Sequence, residues 1–180
     1  VWVYSIRDYM FLPPWDYNSV PPKPVGRSRK YWDCKDLVAG AKWTGGNFGT
    51  DWKPREPVTW CAADRDDSPG ATEKDVKSEL YNLDAVGYES LMLGLFSIWR
   101  GDYRWPQEPN AAALELQRLG RPKQNAVCIG FSRDGFHWDR PDRRPFCPTS
   151  ETLGDWNWGN VQSAANVCLV VGDQLYFYVS

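Results

Sequence analysis

The chain has 180 residues, of which 42% are apolar and 24% are charged, and its formal net charge is −2. This balance is typical of a globular domain, and it argues against a nucleic-acid partner, because domains that bind nucleic acid carry a concentrated basic face. No run approaches the roughly 20 apolar residues that a membrane-spanning helix needs, so we expect no membrane span in this segment.

Three aromatic-rich β patterns recur along the chain, at 1–7, 93–100 and 175–180. Their spacing of roughly 80 to 90 residues is long for a single repeat, and it predicts a repeat fold with loops inserted between the strands. The 15 glycines and 14 prolines favour many short strands joined by turns. The chain begins and ends inside a β pattern, so we expect it to be part of a longer protein.

Three groups of charged residues are predicted to be solvated, because none has the spacing of a ligand-binding motif. The groups are Lys23, Arg27, Arg29 and Lys30; Asp64, Arg65, Asp66 and Asp67; and Arg140, Arg143 and Arg144. The acidic group has no calcium-loop spacing, and the basic groups have no interleaved aromatic stacking residues.

Asp84 interrupts an otherwise apolar and aromatic strand pattern at 80–89. A carboxylate in such a strand is costly unless it is paired or faces a cavity. Asp84 is therefore either a satisfied hydrogen-bond partner between neighbouring sheets or a functional group. Glu89, five residues on, would point to the opposite face of a regular strand unless the chain bends at Gly87.

One short helix is predicted near 110–119, where Asn110 is a candidate N-cap and Gly120 a C-terminal stop. We expect this helix to be an insertion between two strands. Its apolar positions would then pack against the sheets.

The segment 126–138 predicts a β-hairpin. Its apolar run leads into Asp134-Gly135, a dipeptide that supplies the positive φ angles of a tight turn. Trp138 follows on the returning strand. Together with Trp43 and Trp60, each of which ends a strand-like segment, it is predicted to pack between neighbouring sheets.

The loop at 154–160 carries two of the 11 tryptophans, Trp156 and Trp158, among polar residues and glycines. Core packing is not expected there. Flat aromatic faces beside Asp155 and Asn160 suit sugar rings, which present apolar faces edged by hydroxyl groups. The alternative is that these rings only order the loop.

The five cysteines show neither a CxxC pair nor the spacing of a metal site. No glycine-rich phosphate-binding loop follows a predicted strand. The sequence therefore predicts no metal and no cofactor.

The order of elements resembles that of a known family. An inner strand, an outer aromatic strand, the segment SRDGFHW at 132–138 and a Trp- and Gly-rich loop resemble the five-bladed β-propeller glycoside hydrolases, the invertase, levanase and arabinanase group of families 32 and 43. The Asp-box of sialidases is a weaker match, because Gly135 directly follows Asp134.

The resemblance implies an all-β propeller, of which this chain holds about two blades and parts of their neighbours. One blade with its loops would span 1–78, the next blade 79–150, and the start of a third 151–180. The remaining blades of the same protein are then expected partners, and a secreted or extracytoplasmic location is implied.

In the resembled family, two Asp and one Glu on the inner strands line the central funnel and carry the chemistry. The resemblance implies that Asp84 is the second of these acids, with Glu89 and Asp155 as further candidates for the acid and base roles. The next inner strand is expected at 159–164. There Gln162 stands where the family has a Glu, and an amide cannot act as a general acid.

Carbohydrate is the ligand that the resemblance implies. We expect oligo- or polysaccharide to contact five residues near these acids. They are Tyr88, Trp156, Trp158, Asn160 and Gln162. Two functions stay open: a glycoside hydrolase with carboxylate acid–base chemistry, and a non-catalytic carbohydrate-binding or scaffolding propeller.

Overall fold

The computed structural model describes residues 1–10, 26–42, 57–67, 78–100, 124–150 and 152–180. Nine strands account for most of these residues, and they form three antiparallel sheets. The predicted all-β class is therefore confirmed for the described part of the chain. The predicted helix at 111–119 and the predicted packing of Trp43 fall outside it.

The first sheet contains the predicted β pattern at 1–7. Its strands are β1 (Trp2–Met10), β2 (Gly26–Cys34) and β3 (Val58–Ala62), which lie in that order. The β1–β2 pairing runs along both strands, from Trp2 opposite Cys34 to Met10 opposite Gly26. A short helix, α1 (Leu37–Ala41), follows β2 and begins where the Asp36 carboxylate accepts the Ala39 N–H at 2.7 Å.

The second sheet is an up-and-down meander of four strands. They are β4 (Glu79–Tyr88), β5 (Leu91–Arg100), β6 (Gln124–Ser132) and β7 (Trp138–Asp139). The first strand, β4, lies at an edge and pairs only with β5 within its sheet. The strand β5 is buried at six consecutive residues, 94–99. Both of its faces are therefore covered, which explains why its sequence is an apolar run and not an alternation.

The third sheet is a two-stranded hairpin of β8 (Ser163–Val171) and β9 (Gln174–Val179), with Gly172 in the turn at φ 63°. The prediction of an inner strand at 159–164 is wrong in its bounds. Residues just before β8 pair instead with β6. The backbone N–H of Asn125 donates to the Gly159 carbonyl at 3.0 Å, and the Asn125 carbonyl accepts the Val161 N–H at 2.7 Å. The strand β8 therefore begins only at Ser163.

The second sheet packs between the other two. Its face towards the first sheet buries one cluster, formed by Leu80, Leu83, Phe96, Ile98 and Cys128 against Trp60, Cys61, Ala63 and Trp138. Its other face buries a second cluster, formed by Leu95, Val127 and Val161 against Ile129, Cys147, Phe177 and Val179. The three sheets thus stack face to face in chain order, and this stacking fixes which strand edges come together.

The predicted hairpin at 126–138 is present, but its turn is longer than expected. Five residues, 133–137, connect Ser132 to Trp138, and only Gly135 has a positive φ, of 80°. The turn stays open because Ser132 Oγ accepts the Gly135 N–H at 2.8 Å, while Asp134 Oδ1 accepts the Phe136 N–H at 2.8 Å. These side-chain acceptors replace the backbone ladder of a two-residue turn.

Trp138 packs between the first two sheets, as predicted. Its ring lies 5.4 Å from that of Phe96 and 6.2 Å from that of Trp60, both edge to face. Trp60 also donates its indole N–H to the Gly135 carbonyl at 2.6 Å, so the hairpin turn is tied to the first sheet. The aromatic contacts and this hydrogen bond together fix the distance between the sheets.

Two facing glycines make room for these rings. Gly94 of β5 lies opposite Gly130 of β6. A Cβ on Gly94 would come within 2.6 Å of the Trp138 ring, and one on Gly130 within 2.7 Å of the Arg140 Cγ. The absence of side chains at this pair therefore allows Trp138 and the aliphatic stem of Arg140 to lie against the sheet.

The prediction that the charged groups are solvated is wrong for several of their members. Arg27, Arg29, Asp67 and Arg140 are all less than 10% exposed. Arg27 lies 2.5 Å from Glu79, and Arg140 lies 2.8 Å from Asp67, in each case across the boundary between the first and second sheets. A buried charge needs such a partner, and these partners lie more than fifty residues away in sequence. Local sequence therefore could not reveal them.

Candidate functional site

Asp84 lies on the edge strand β4, where the second sheet meets the third. Its Oδ2 accepts hydrogen bonds from Asn82 Nδ2, at 2.9 Å, and from Ser163 Oγ. Ser163 is the first residue of β8, so this contact joins the two sheets. The side chain of Asp84 is only half buried, and both bonds use the same oxygen. Within the described residues, Oδ1 accepts no hydrogen bond.

A buried arginine of the first sheet lies within electrostatic range of Asp84. Arg29, on β2, donates from Nε to Ser5 Oγ at 2.8 Å and from Nη1 to the Tyr81 carbonyl at 3.4 Å, and it also bonds the Ser5 carbonyl. Burial lowers the pKa of Arg29, and the negative charge of Asp84 opposes that shift. Guanidinium stays protonated in proteins, so the charges of Arg29 and Asp84 attract each other.

Three sheets therefore contribute to one polar cluster. We call it the Asp84 cluster and define it by Ser5, Arg29, Asn82, Asp84 and Ser163. Its members come from β1 and β2 of the first sheet, β4 of the second and β8 of the third. The edge strand β4 brings them together, because it can be reached from both neighbouring sheets. This arrangement contains one carboxylate, hydroxyl and amide donors, and one buried cation.

Tyr88 and Glu89 lie away from this cluster, at the far end of β4. Glu89 is in the two-residue turn between Tyr88 and Leu91, where it is exposed and has φ 50°. A strand rises about 3.3 Å per residue, so Tyr88 is about 13 Å along β4 from Asp84, and Glu89 is farther. The structure therefore does not bring Glu89 beside Asp84.

Asp155 and the two tryptophans lie in a loop that closes on itself. Ser150 donates its N–H to the Asn157 carbonyl at 2.9 Å and accepts that of Gly159 at 3.0 Å. Asp155 accepts a hydrogen bond from the Ser150 hydroxyl at 2.5 Å, so its carboxylate supports the loop. No hydrogen bond joins it to Asp84 among the described residues.

Trp156 and Trp158 differ in exposure. Trp156 is 68% exposed, whereas Trp158 is half buried. The backbone N–H of Trp158 donates to the Asp155 carbonyl at 3.1 Å. The loop thus holds an indole ring outwards on an ordered backbone. Such a ring can stack on an apolar face of a ligand with little loss of conformational entropy.

Asn160 and Gln162 share one face of the segment that leads into β8. Asn160 Oδ1 accepts from Asn125 Nδ2 at 2.8 Å and from Gln162 Nε2 at 3.4 Å. Val161 and Ser163 alternate with them and are buried. Because neighbouring residues of an extended segment point to opposite faces, Gln162 points away from Asp84 and Ser163 points towards it.

The sequence analysis identified only Asp84 of this cluster as a site residue and missed Ser5, Arg29, Asn82 and Ser163. For Ser163 a sequence signal was present: it is two residues from the apolar Val161, so in an extended segment both side chains point to the same, buried face. For Ser5 and Arg29 there was no local signal, since their role depends on contact between separate sheets.

His137, the only histidine of the chain, has a local partner. Its Nδ1 lies 2.6 Å from Asp134 Oδ2 in the exposed turn before β7. This hydrogen bond raises the pKa of His137 and lowers that of Asp134. No nucleophilic Ser or Cys lies in hydrogen-bond contact with His137 among the described residues, so the pair stabilises the turn.

Comparison with protein-family models, with curated proteins and with solved structures found no match to this chain. The described residues hold no group of three or more His, Cys, Asp and Glu side chains placed to bind a metal ion. None of the helices described is long and apolar enough to cross a membrane.

Proposed function

We propose that the chain forms part of a carbohydrate-active β-propeller, similar to the family 32 and 43 glycoside hydrolases. The three stacked sheets would be successive blades. The second sheet supports this assignment, because it is a four-stranded meander with both faces covered by neighbouring sheets. In such a fold β4 and β8 would be the inner strands that line the central funnel.

The observation that carries the proposal is that only one of the two oxygens of the Asp84 carboxylate accepts hydrogen bonds from the described residues. Its Oδ2 is held by Asn82 and Ser163, while its Oδ1 accepts no hydrogen bond from the described residues. A sugar offers hydroxyl donors to such an oxygen, and glycosidic cleavage develops positive charge that a fixed carboxylate stabilises. Asp84 would therefore bind a sugar hydroxyl and stabilise the transition state.

Glycosidic cleavage also needs a second acidic group, as a proton donor. Glu89 and Asp155 are the candidates within this chain, and neither contacts Asp84 in the structure. In the proposed enzyme, the proton donor would therefore approach the scissile bond from another part of the funnel. Trp156 would provide a platform for a sugar ring beyond the cleavage point.

The alternative is a propeller that binds carbohydrate without cleaving it. Two observations favour it. The hydrogen bond from Ser163 gives Asp84 a structural role between two sheets, and Gln162, an amide, stands where the resemblance expects a Glu. The exposed ring of Trp156 suits this binding function equally well.

The variant Asp84→Asn separates these functions in the full-length protein that contains this chain. Asn keeps the shape and can still accept hydrogen bonds from Asn82 and Ser163, but it lacks the charge. For an enzyme we expect hydrolysis of the oligosaccharide substrate to fall by about 10²- to 10³-fold, with binding changed far less. Initial rates and calorimetric titration measure the two effects.

Asp142→Asn is the matched control, because Asp142 is exposed and pairs only with Arg144 among the described residues. We expect it to leave turnover unchanged. A wild-type protein that binds oligosaccharides without hydrolysing them establishes the binding function instead. A wild-type protein that neither binds nor cleaves carbohydrate overturns the proposal.

A further inference from the structure

One face of the first sheet carries more positive than negative charge. Arg7 of β1 lies directly opposite Arg29 of β2, and Arg27 is two residues from Arg29 on the same face. Arg27 is neutralised by Glu79, at 2.5 Å. Arg29 is attracted by Asp84. Asp33 also lies on this face, four residues along β2 from Arg29, and Arg7 has no carboxylate partner among the described residues.

This arrangement is unfavourable for the fold alone. Like charges that face each other across two strands destabilise a sheet, and here one of the two, Arg29, is also buried. The positive charge of Arg7 lowers the pKa of Arg29, which expresses the same repulsion. Arg7 itself is exposed, and its guanidinium lies 5.9 Å from the centre of the Tyr81 ring. The exposed guanidinium of Arg7, which lies opposite the like charge of Arg29, is therefore available to a ligand.

We propose that Arg7 is a specificity residue that binds an anionic substituent of the carbohydrate held at Asp84. This inference rests on the proposed function and adds the class of substrate, an acidic sugar chain. Guanidinium binds planar or tetrahedral anions through paired hydrogen bonds, so the substituent is either the carboxylate of a uronic acid or a sulfate ester. Its negative charge would pair with the guanidinium of Arg7, which has no carboxylate partner among the described residues.

Arg29 connects the two ends of the site. It is influenced electrostatically by both Arg7 and Asp84, and it is fixed by hydrogen bonds to Ser5 and to the Tyr81 carbonyl. The Arg7 guanidinium lies 5.9 Å from the centre of the Tyr81 ring, and Tyr81 precedes Asp84 by three residues, or about 10 Å, along β4. An oligosaccharide longer than one residue can therefore contact Asp84 with one sugar and Arg7 with the acidic group of a neighbouring sugar. Tyr81 would hold the Arg7 guanidinium in place through its ring.

The test is calorimetric titration of the full-length protein with three probes of similar length. They are oligogalacturonate, which carries carboxylates, carrageenan oligosaccharide, which carries sulfates, and neutral xylo-oligosaccharide. We expect the wild-type protein to bind one of the acidic probes at least about tenfold more tightly than the neutral one. The preferred acidic probe identifies the substituent.

The variant Arg7→Gln should abolish this preference and leave the affinity for the neutral probe unchanged. Arg133→Gln is the matched control, because Arg133 is exposed and has no hydrogen bond or ion pair among the described residues. It should retain the wild-type preference. The melting temperature of Arg7→Gln provides a second readout. We expect it not to fall, because the variant removes the unfavourable repulsion from Arg29 as well as the favourable contact to Tyr81.

Three outcomes would overturn the inference. Equal wild-type affinity for acidic and neutral probes refutes the role of Arg7 but leaves the carbohydrate function standing. An Arg7→Gln variant that keeps the acidic preference, with or without a lower melting temperature, shows that Arg7 acts only in the fold. Absence of binding to all three probes refutes the proposed function and this inference with it.

Discussion

At the scale of single residues, the burial of charge is the main difference between expectation and structure. Asp67 and Arg140 have side chains that are 0% and 3% exposed, and they bond each other at 2.8 Å. Arg140 also lies over the Phe96 ring at 4.7 Å. The pair joins the segment that follows β3 to the end of β7. It therefore fixes the first sheet against the second.

Removing one member of this pair should be costly. In Asp67→Asn the amide still accepts the Asp64 N–H, which the carboxylate accepts at 2.9 Å, but the Arg140 charge loses its buried partner. We expect the free energy of unfolding to fall by about 3 kcal/mol, measured by urea denaturation. Arg140 would keep only its half-exposed partner Asp64, at 3.0 Å. Adding Arg140→Met should recover part of the loss, because an apolar side chain then replaces the poorly compensated buried charge.

The exposed pair of Asp142 and Arg144 is the control for this experiment. Its members lie two residues apart and are 51% and 88% exposed. We expect Asp142→Asn to have little effect on stability, because exposed pairs are screened by water and salt. An Asp67→Asn variant that is as stable as Asp142→Asn would show that the buried pair does not hold the sheets together.

At the scale of strands, two glycines determine how closely β7 packs on the second sheet. Gly94→Ala should place a methyl group within 2.6 Å of the Trp138 ring. We expect this overpacking to destabilise the protein by about 1 to 3 kcal/mol. Tryptophan fluorescence should also change, since Trp138 has to move. Thermal unfolding measures the loss of stability.

Gly87→Ala is the matched control, because Gly87 also lies in a strand of the second sheet but has no atom within 4 Å of the position of a Cβ. Its backbone has no positive φ. We expect Gly87→Ala to be neutral or to stabilise the protein slightly, since alanine restricts the unfolded chain. Equal effects of the two substitutions would contradict the packing described for Trp138.

The strands themselves were the part of the fold that the sequence predicted well. The three aromatic β patterns correspond to β1, β5 and β9, because residues with high β propensity lie in uninterrupted runs there. The start of β8 was misplaced, since the preceding segment pairs with Asn125 of β6, thirty-five residues earlier. Such pairing depends on the stacking of sheets, which no local pattern contains.

At the scale of the whole molecule, the candidate site is a product of the stacking. Asp84 was selected as a candidate from the sequence because a carboxylate is unusual in an apolar strand. Ser163 bonds to Asp84, and Arg29, held by Ser5, interacts with Asp84 electrostatically, only because three sheets place their strands side by side. Tyr88, Glu89 and Asp155 were chosen for nearness in sequence or for residue type. The structure leaves them apart from Asp84, and their roles stay predictions.

The most direct test of a carbohydrate site at Asp84 is a crystal structure of the full-length protein with a bound oligosaccharide. We expect a sugar hydroxyl within hydrogen-bond distance of Asp84 Oδ1, with Oδ2 still bonded to Ser163 and Asn82. An acidic substituent should lie against Arg7. A sugar bound elsewhere, with both oxygens of Asp84 enclosed between the second and third sheets, would contradict this account.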